Sequence, residues 1–244
     1  MSGARDMLCD TARAVFAEAA AGAGMAPVEQ AGFALLLVAE SDGGLGGDWG
    51  DVHAVLRLAG GAVPDLPVAD AILSGLGPAR LGAAPVTLQA AATVSLMAGA
   101  MAQALTLSID YVNTRQQFGR PLGKFQAVQQ SLAVMACEAA AVDAAAAALG
   151  ARLDATGLDA EAAGFEIAAA KLRANRAVGV VTGISHQVHG AIGFTREYDL
   201  HRVTIPLMRW RSQHGNDALW AERLGRHVAV LGERGLWETL TARG

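Results

Sequence analysis

The sequence predicts an all-α protein. It reads as a small N-terminal helical domain over residues 1–80, followed by an antiparallel, four-helix-bundle-like C-terminal domain over residues 81–244. Three observations lead there. Hydrophobic residues make up 52% of the chain but aromatic residues only 5%; much of the rest is alanine, which favours helices and lets them pack closely. Proline is absent from Leu122 to Ile205, as long unbroken helices require. Within that stretch Phe125, Val128, Leu132, Met135, Ala139, Val142, Ala146, Leu149 and Leu153 fall at alternating spacings of three and four, a heptad seam.

Taken in order, residues 4–22 predict a first helix with Leu8, Ala12, Val15, Phe16 and Ala19 on one face, closed by Gly22 and Gly24. Residues 28–38 predict a short second helix. The glycine-rich run Glu40-Ser-Asp-Gly-Gly-Leu-Gly-Gly47 predicts a flexible connection; no Gly-Lys-Ser/Thr follows, so it is not a phosphate-cradling loop. Helices are expected near 49–61 and 67–76, then a linker from Gly77 to Pro85 with no strand in it. Val86 to Asn113 predicts one long helix. It carries no charge between Arg80 and Asp110, long enough to span a bilayer, yet it is Ala-rich and holds Gln89, Thr93, Ser95 and Gln103. A buried core helix is the expectation, and no membrane partner. After the seam helix, closed by Gly157, a further helix is expected from Asp159 to about Gln187, with Phe165, Ala169, Leu172 and Gly179 on one stripe.

Composition narrows the partners. A net charge of −4 and a pI near 5.8 offer no basic surface for nucleic acid. Cys9 and Cys137 have neither metal-site spacing nor a disulfide framework, which suits a reducing, cytoplasmic setting. Asp6 and Asp10 interrupt the N-terminus, against a signal peptide. His186 and His189 stand three apart on a helix, but with no third ligand nearby no metal site is expected.

The chain is organised around Arg115-Gln-Gln-Phe-Gly-Arg-Pro-Leu-Gly-Lys-Phe-Gln126. Gly119 can take the positive φ that ends a helix and Pro121 blocks its continuation, so the stretch predicts an αα-hairpin, with Arg115 in the last turn of the incoming helix. Phe118 and Phe125 bracket a turn that also carries Arg115, Arg120, Lys124 and Gln126. Flat apolar faces beside guanidinium forks suit a flat, phosphorylated cofactor.

Tyr111 to Gln126 closely resembles the FAD-contacting turn of the acyl-CoA dehydrogenase family, Arg-x-x-Phe-Gly followed by Phe-Gln. Gln187-Val-His-Gly-Ala-Ile-Gly-Phe-Thr195 resembles the same family's Gln-x-x-Gly-Gly-x-Gly-Phe/Tyr-Thr motif, which contacts the FAD pyrophosphate and adenosine end across a subunit boundary. Ala191 replaces the second glycine and puts a methyl group where the family keeps bare backbone. Glu40 to Gly47 resembles the Pro-Glu-x-x-Gly-Gly-x-Gly turn of the N-terminal domain, with Ala39 in place of Pro.

The resemblance implies FAD as cofactor, with Arg115, Phe118, Gln126, Gln187, Gly190 and Ala191 contacting it, and an acyl-CoA thioester as substrate. In the family a buried carboxylate removes the α-proton while the β-hydrogen leaves to the flavin. The family's usual Glu position reads Gln213-His214-Gly215-Asn216 here, and the minority position, counted back from Arg115, falls near Gln89. Neither is a carboxylate. Full-length relatives also place a β-rich domain between the two helical parts, and almost nothing stands in its place. Three readings stay open: a dehydrogenase subunit beside a full-length partner that supplies the β domain and the Glu, a non-catalytic structural or regulatory subunit, and a self-sufficient homodimer using neutral His214. The assembly implied is a homodimer or a heterotetramer. Trp210-Arg-Ser-Gln-His-Gly with Trp220 resembles branches acting on bulky substrates such as steroid side-chain CoA esters.

Overall fold

The structure, a computed structural model, describes residues 2–78 and 85–241. The only strands among them form one two-stranded hairpin; the rest is helix and turn. Helix α1, Ser2–Glu18, runs on through a wide π-type turn, Ala19–Ala23, where Gly22 at φ 115° breaks the helical path. The expected second helix divides. Ala26–Gln30 forms α2, Gly32 turns left-handed at φ 71°, and Phe33–Leu35 makes a single 3-10 turn. Glycine is the reason: its φ interrupts the backbone ladder that the apolar run would otherwise have carried.

Helix α3, Trp49–Ala62, starts where Asp48 and Asp51 exchange side-chain and backbone hydrogen bonds in a capping box. Arg5 of α1 reaches both carboxylates at 2.7 Å. Helix α4 follows over Val68–Ser74, and α5 spans Pro85–Thr114. The expected linker falls largely on residues 79–84, outside the described residues.

Helices α3 and α5 touch backbone to backbone. A Cβ on Gly60 would stand 2.0 Å from the Leu96 carbonyl oxygen, and one on Gly99 would stand 1.8 Å from the Arg57 carbonyl oxygen. Each helix therefore gives a glycine to the same crossing, and no side chain fits between them. Around that crossing lies a core containing Trp49, Val52, Leu56, Met97 and Met101.

Beyond α5, the chain departs from a plain αα-hairpin. Gln116–Gln117 (β1) pairs antiparallel with Arg120–Pro121 (β2), and Phe118 and Gly119 form the two-residue loop at φ 52° and 78°. Positive φ at both loop positions is what a tight hairpin needs, so Gly119 serves the strand turn and not a helix end. Helix α6, Gln126–Ala155, is followed by α7, Gly164–His189, α8, Leu200–Ser212, and α9, Asp217–Thr241.

Along α6 the seam is buried from Met135 through Ala139, Val142, Ala146 and Leu149 to Leu153, while Phe125, Val128 and Leu132 are only half-buried. On α7 the expected stripe is rotated. Of the expected positions Leu172 is buried, but Gly179 is exposed and Phe165 and Ala169 half-buried, whereas Ile167, Lys171, Ala174, Val178, Val181 and Ser185 face inward. Alanines on every side blurred the phase, since a helix so rich in small residues reads as apolar all round. Helices α5 and α6 are both long and apolar enough to cross a bilayer; 67% of the most apolar window of α5 is buried inside the protein, against 28% for α6.

Candidate functional site

Two cavities carry the residues singled out in the sequence. The first, of about 620 Å³, is bounded by the end of α5, the hairpin, the start of α6 and the turn after α7. Arg115, Gln187, Gly190 and Ala191 line it together, although the two segments are far apart in sequence. Arg115 has no ion-pair partner among the described residues, and its carbonyl takes the Leu122 N–H at 2.9 Å. Phe118 and Gln126 do not line the cavity. Phe118 is 89% exposed at the hairpin tip, where its edge meets Phe125 at 6.1 Å, and Gln126 is exposed at the start of α6. The Arg120 guanidinium lies 4.1 Å over the Phe125 ring.

The start of α6 also shapes this cavity. Its N-cap is Phe125, whose side chain makes no capping hydrogen bond, so the positive end of a thirty-residue helix is left without a side-chain acceptor. Ala127, Val128 and Ser131 from its first turns form part of the wall. An uncapped N-terminus and an unpaired guanidinium beside the same space fit an anionic group such as a diphosphate.

Sequence reading missed the aromatic end of the cavity. Tyr111 and His189 stack with centroids 4.5 Å apart and planes at 29°, and Tyr198 packs edge-on against Tyr111 at 5.7 Å. The Ser185 carbonyl lies 2.7 Å from His189 Nδ1, which therefore carries the proton. Burial lowers the His189 pKa first, favouring the neutral ring. Both residues sit inside the quoted motifs; read as helix ends, they gave no sign that their rings would meet. His186 instead stacks on Phe194 at 4.5 Å. No group of three ligating side chains gathers among the described residues.

The second cavity, of about 550 Å³, lies between α4, α5 and the turn joining α8 to α9. Gln89 and His214 both line it. Thus the two positions at which the family pattern places a carboxylate come to one space from separate elements. The carboxylates that line it are Asp65 and Asp70, both exposed, and neither was marked by any motif. Burial lowers the His214 pKa, nearby Asp70 raises it, and Lys171 lowers it further.

Residues 83–229 match the C-terminal domain of acyl-CoA dehydrogenase. The chain belongs to the acyl-CoA dehydrogenase family. Among curated relatives, the 3-sulfinopropanoyl-CoA desulfinase of Paraburkholderia xenovorans is 37% identical over 113 residues, 46% of this chain and 27% of that protein. Acyl-CoA dehydrogenase FadE27 of Mycobacterium tuberculosis is 29% identical over 215 residues, 84% of this chain and 56% of that one. The chain thus spans about a quarter to two fifths of the first curated relatives it matches. Among solved structures, the Tcur3481-Tcur3483 steroid ACAD has the same fold at 18% identity, with a TM-score of 0.79 over 93% of this chain and 98% of that one.

Proposed function

We propose that this chain is a subunit of an FAD-dependent acyl-CoA dehydrogenase, acting in α,β-dehydrogenation of an acyl-CoA thioester beside a full-length partner. The partner supplies the β domain and the catalytic Glu. One observation carries the reading: both family motifs line a single cavity that joins an unpaired Arg115 to the uncapped start of α6. Arg115, Gln187, Gly190 and Ala191 would hold the diphosphate and adenosine end of FAD, while Phe118 and Gln126, which do not line this cavity, would meet a cofactor only across a subunit boundary. When bound, FAD supplies the acceptor for the β-hydrogen and its electron pair. Its site need not lie wholly within this chain, because Phe118 stands free in solvent as a surface for another subunit.

The acyl group fits the second cavity, where Gln89 and Thr93 on α5 and Trp210 on α8 form walls between apolar and polar. The steroid ACAD of like fold and like chain length supports a subunit role and a bulky acyl group. Free Cys9 and Cys137 support a reducing, cytoplasmic setting.

A second reading is favoured by one feature. His214 lines the acyl cavity and burial keeps its imidazole neutral, so a homodimer could use it as the proton acceptor. The test of the first reading is flavin retention. The chain purified with its partner should be yellow, and Arg115→Ala should weaken FAD retention roughly ten- to a hundred-fold, the loss of a charge-assisted contact worth about 1.5–3 kcal/mol. A colourless complex that takes up no added FAD would instead mark a structural or regulatory subunit.

A further inference from the structure

Lys171 on α7 is fully buried, a costly place for an ammonium group. A hydrophobic side chain of similar length would fill that site more cheaply. What the ammonium does there is specific. Nζ donates to Asn175 Oδ1 at 2.6 Å and to the Trp210 carbonyl at 2.9 Å. Trp210 lies in the last turn of α8, where carbonyls lack helical partners. Asn175, also fully buried and one turn along α7, passes the contact on: its Nδ2 donates to the Gly215 carbonyl at 3.3 Å. From the opposite side Trp220 Nε1 donates to the His214 carbonyl at 3.1 Å.

The turn so held is a strained one. His214 has φ 58°, uncommon for a residue with a Cβ, and Gly215 has φ 112°. A Cβ on Gly215 would stand 2.5 Å from Trp220 Nε1, so the position accepts no side chain in this conformation. Such conformations persist where the surroundings over-determine them, and they cluster at working sites.

We infer that Lys171 is a positioning residue: through Asn175 and the Trp210 carbonyl it locks the 213–216 turn so that His214 is presented to the cavity shared with Gln89. The charges around His214 are Asp70 from α4, Asp65 from the preceding loop, Arg209 from α8 and Lys171 from α7, with Asp217 of α9 next to Lys171. Burial lowers the Lys171 pKa to about 8, and Asp217 opposes that shift, so Lys171 remains largely charged at neutral pH and disfavours a second charge on His214. The consequence for catalysis rests on the reading that this cavity is the acyl site. The lock itself does not need flavin.

The test is a histidine NMR titration of the full chain, with the His214 signal assigned by its loss in His214→Gln. In the wild type His214 should titrate below the ordinary value of about 6.5. Lys171→Met, which removes the cation, and Asn175→Ala, which unties Gly215, should each move that titration upward. A merely structural Lys171 would lower the melting temperature and leave the titration where it was. Folded Lys171→Met and Asn175→Ala proteins with wild-type His214 titration overturn the inference. Should Lys171→Met fail to fold, Asn175→Ala decides alone. A failed dehydrogenase reading shows separately, as a complex without flavin.

Discussion

Gln89 of α5 and His214 of the α8–α9 turn line the same cavity, and neither is a carboxylate. With the Glu on a partner, changes at either position should leave turnover of the assembled complex within a few-fold. The partner's Glu→Gln change should abolish turnover with flavin still bound. If His214 is the base, the chain alone oxidises an acyl-CoA and His214→Ala cuts turnover by about 10²–10⁴-fold, the usual worth of a general base. Steady-state rates of the chain with and without its partner decide between them.

The glycine crossing of α3 and α5 makes a stability prediction. Gly99→Ala forces its methyl group into the Arg57 carbonyl oxygen, so the two helices must part. The expected loss is about 1–3 kcal/mol or more, from overpacking a contact that cannot yield. Gly179→Ala, on the exposed face of α7 with open space at its Cβ, should be neutral or slightly stabilising. Equal melting temperatures for the two variants would refute the close approach.

Histidine burial sets an acid limit. His53, His186, His189 and His214 all have lowered pKa values, each chiefly through burial. Below the ordinary value of about 6.5 the unfolded chain binds protons at these positions before the folded one does, so their stabilising contribution is present above that pH and lost as pH falls through the folded values. Asp154 acts in the opposite sense: burial raises its pKa, and its own contribution is lost as pH rises through the folded value. Melting temperatures should therefore drop from pH 7 to pH 5.5. His53→Gln, which keeps a side-chain partner for Ser95 Oγ (3.0 Å from His53 Nδ1), should flatten part of that drop. A drop unchanged in His53→Gln would remove His53 from the account.

Assembly is expected from surfaces left open. Phe118 is 89% exposed, Val134 on α6 is 50% exposed and Trp237 on α9 is 66% exposed. Sedimentation of the purified chain should give at least a dimer. A soluble monomer that stays monomeric with an acyl-CoA dehydrogenase partner would count against the enzymatic readings.

Much of the architecture was legible because periodicity reports burial directly. The α6 seam from Met135 to Leu153 is buried as its spacing implied, and the long apolar run became α5 at the centre of the bundle. Local backbone choices were less legible. Gly32 splits one expected helix, and Phe118 takes a positive φ that no propensity assigns to phenylalanine. The α7 stripe was misphased because alanine looks apolar on any face. At the site, motifs brought Arg115, Gln187, Gly190 and Ala191 to one cavity, but Asp70, Tyr111 and Lys171 needed the fold. Their roles depend on residues far away in sequence, such as Trp210 for Lys171.

The uncapped start of α6 makes that helix a reporter of its own occupant. The first amide hydrogens of that helix, at Gln126 and Ala127, lie ahead of the ladder that the Phe125 carbonyl opens by accepting from Val128 and Gln129, and the Phe125 side chain caps neither, so in the free chain they exchange with solvent quickly. Deep inside α6, exchange waits on much rarer opening events. An anionic ligand seated beside Arg115 would slow the first class and leave the second nearly untouched. The slowing confined to the first turn would then measure the fraction of chains that hold the ligand.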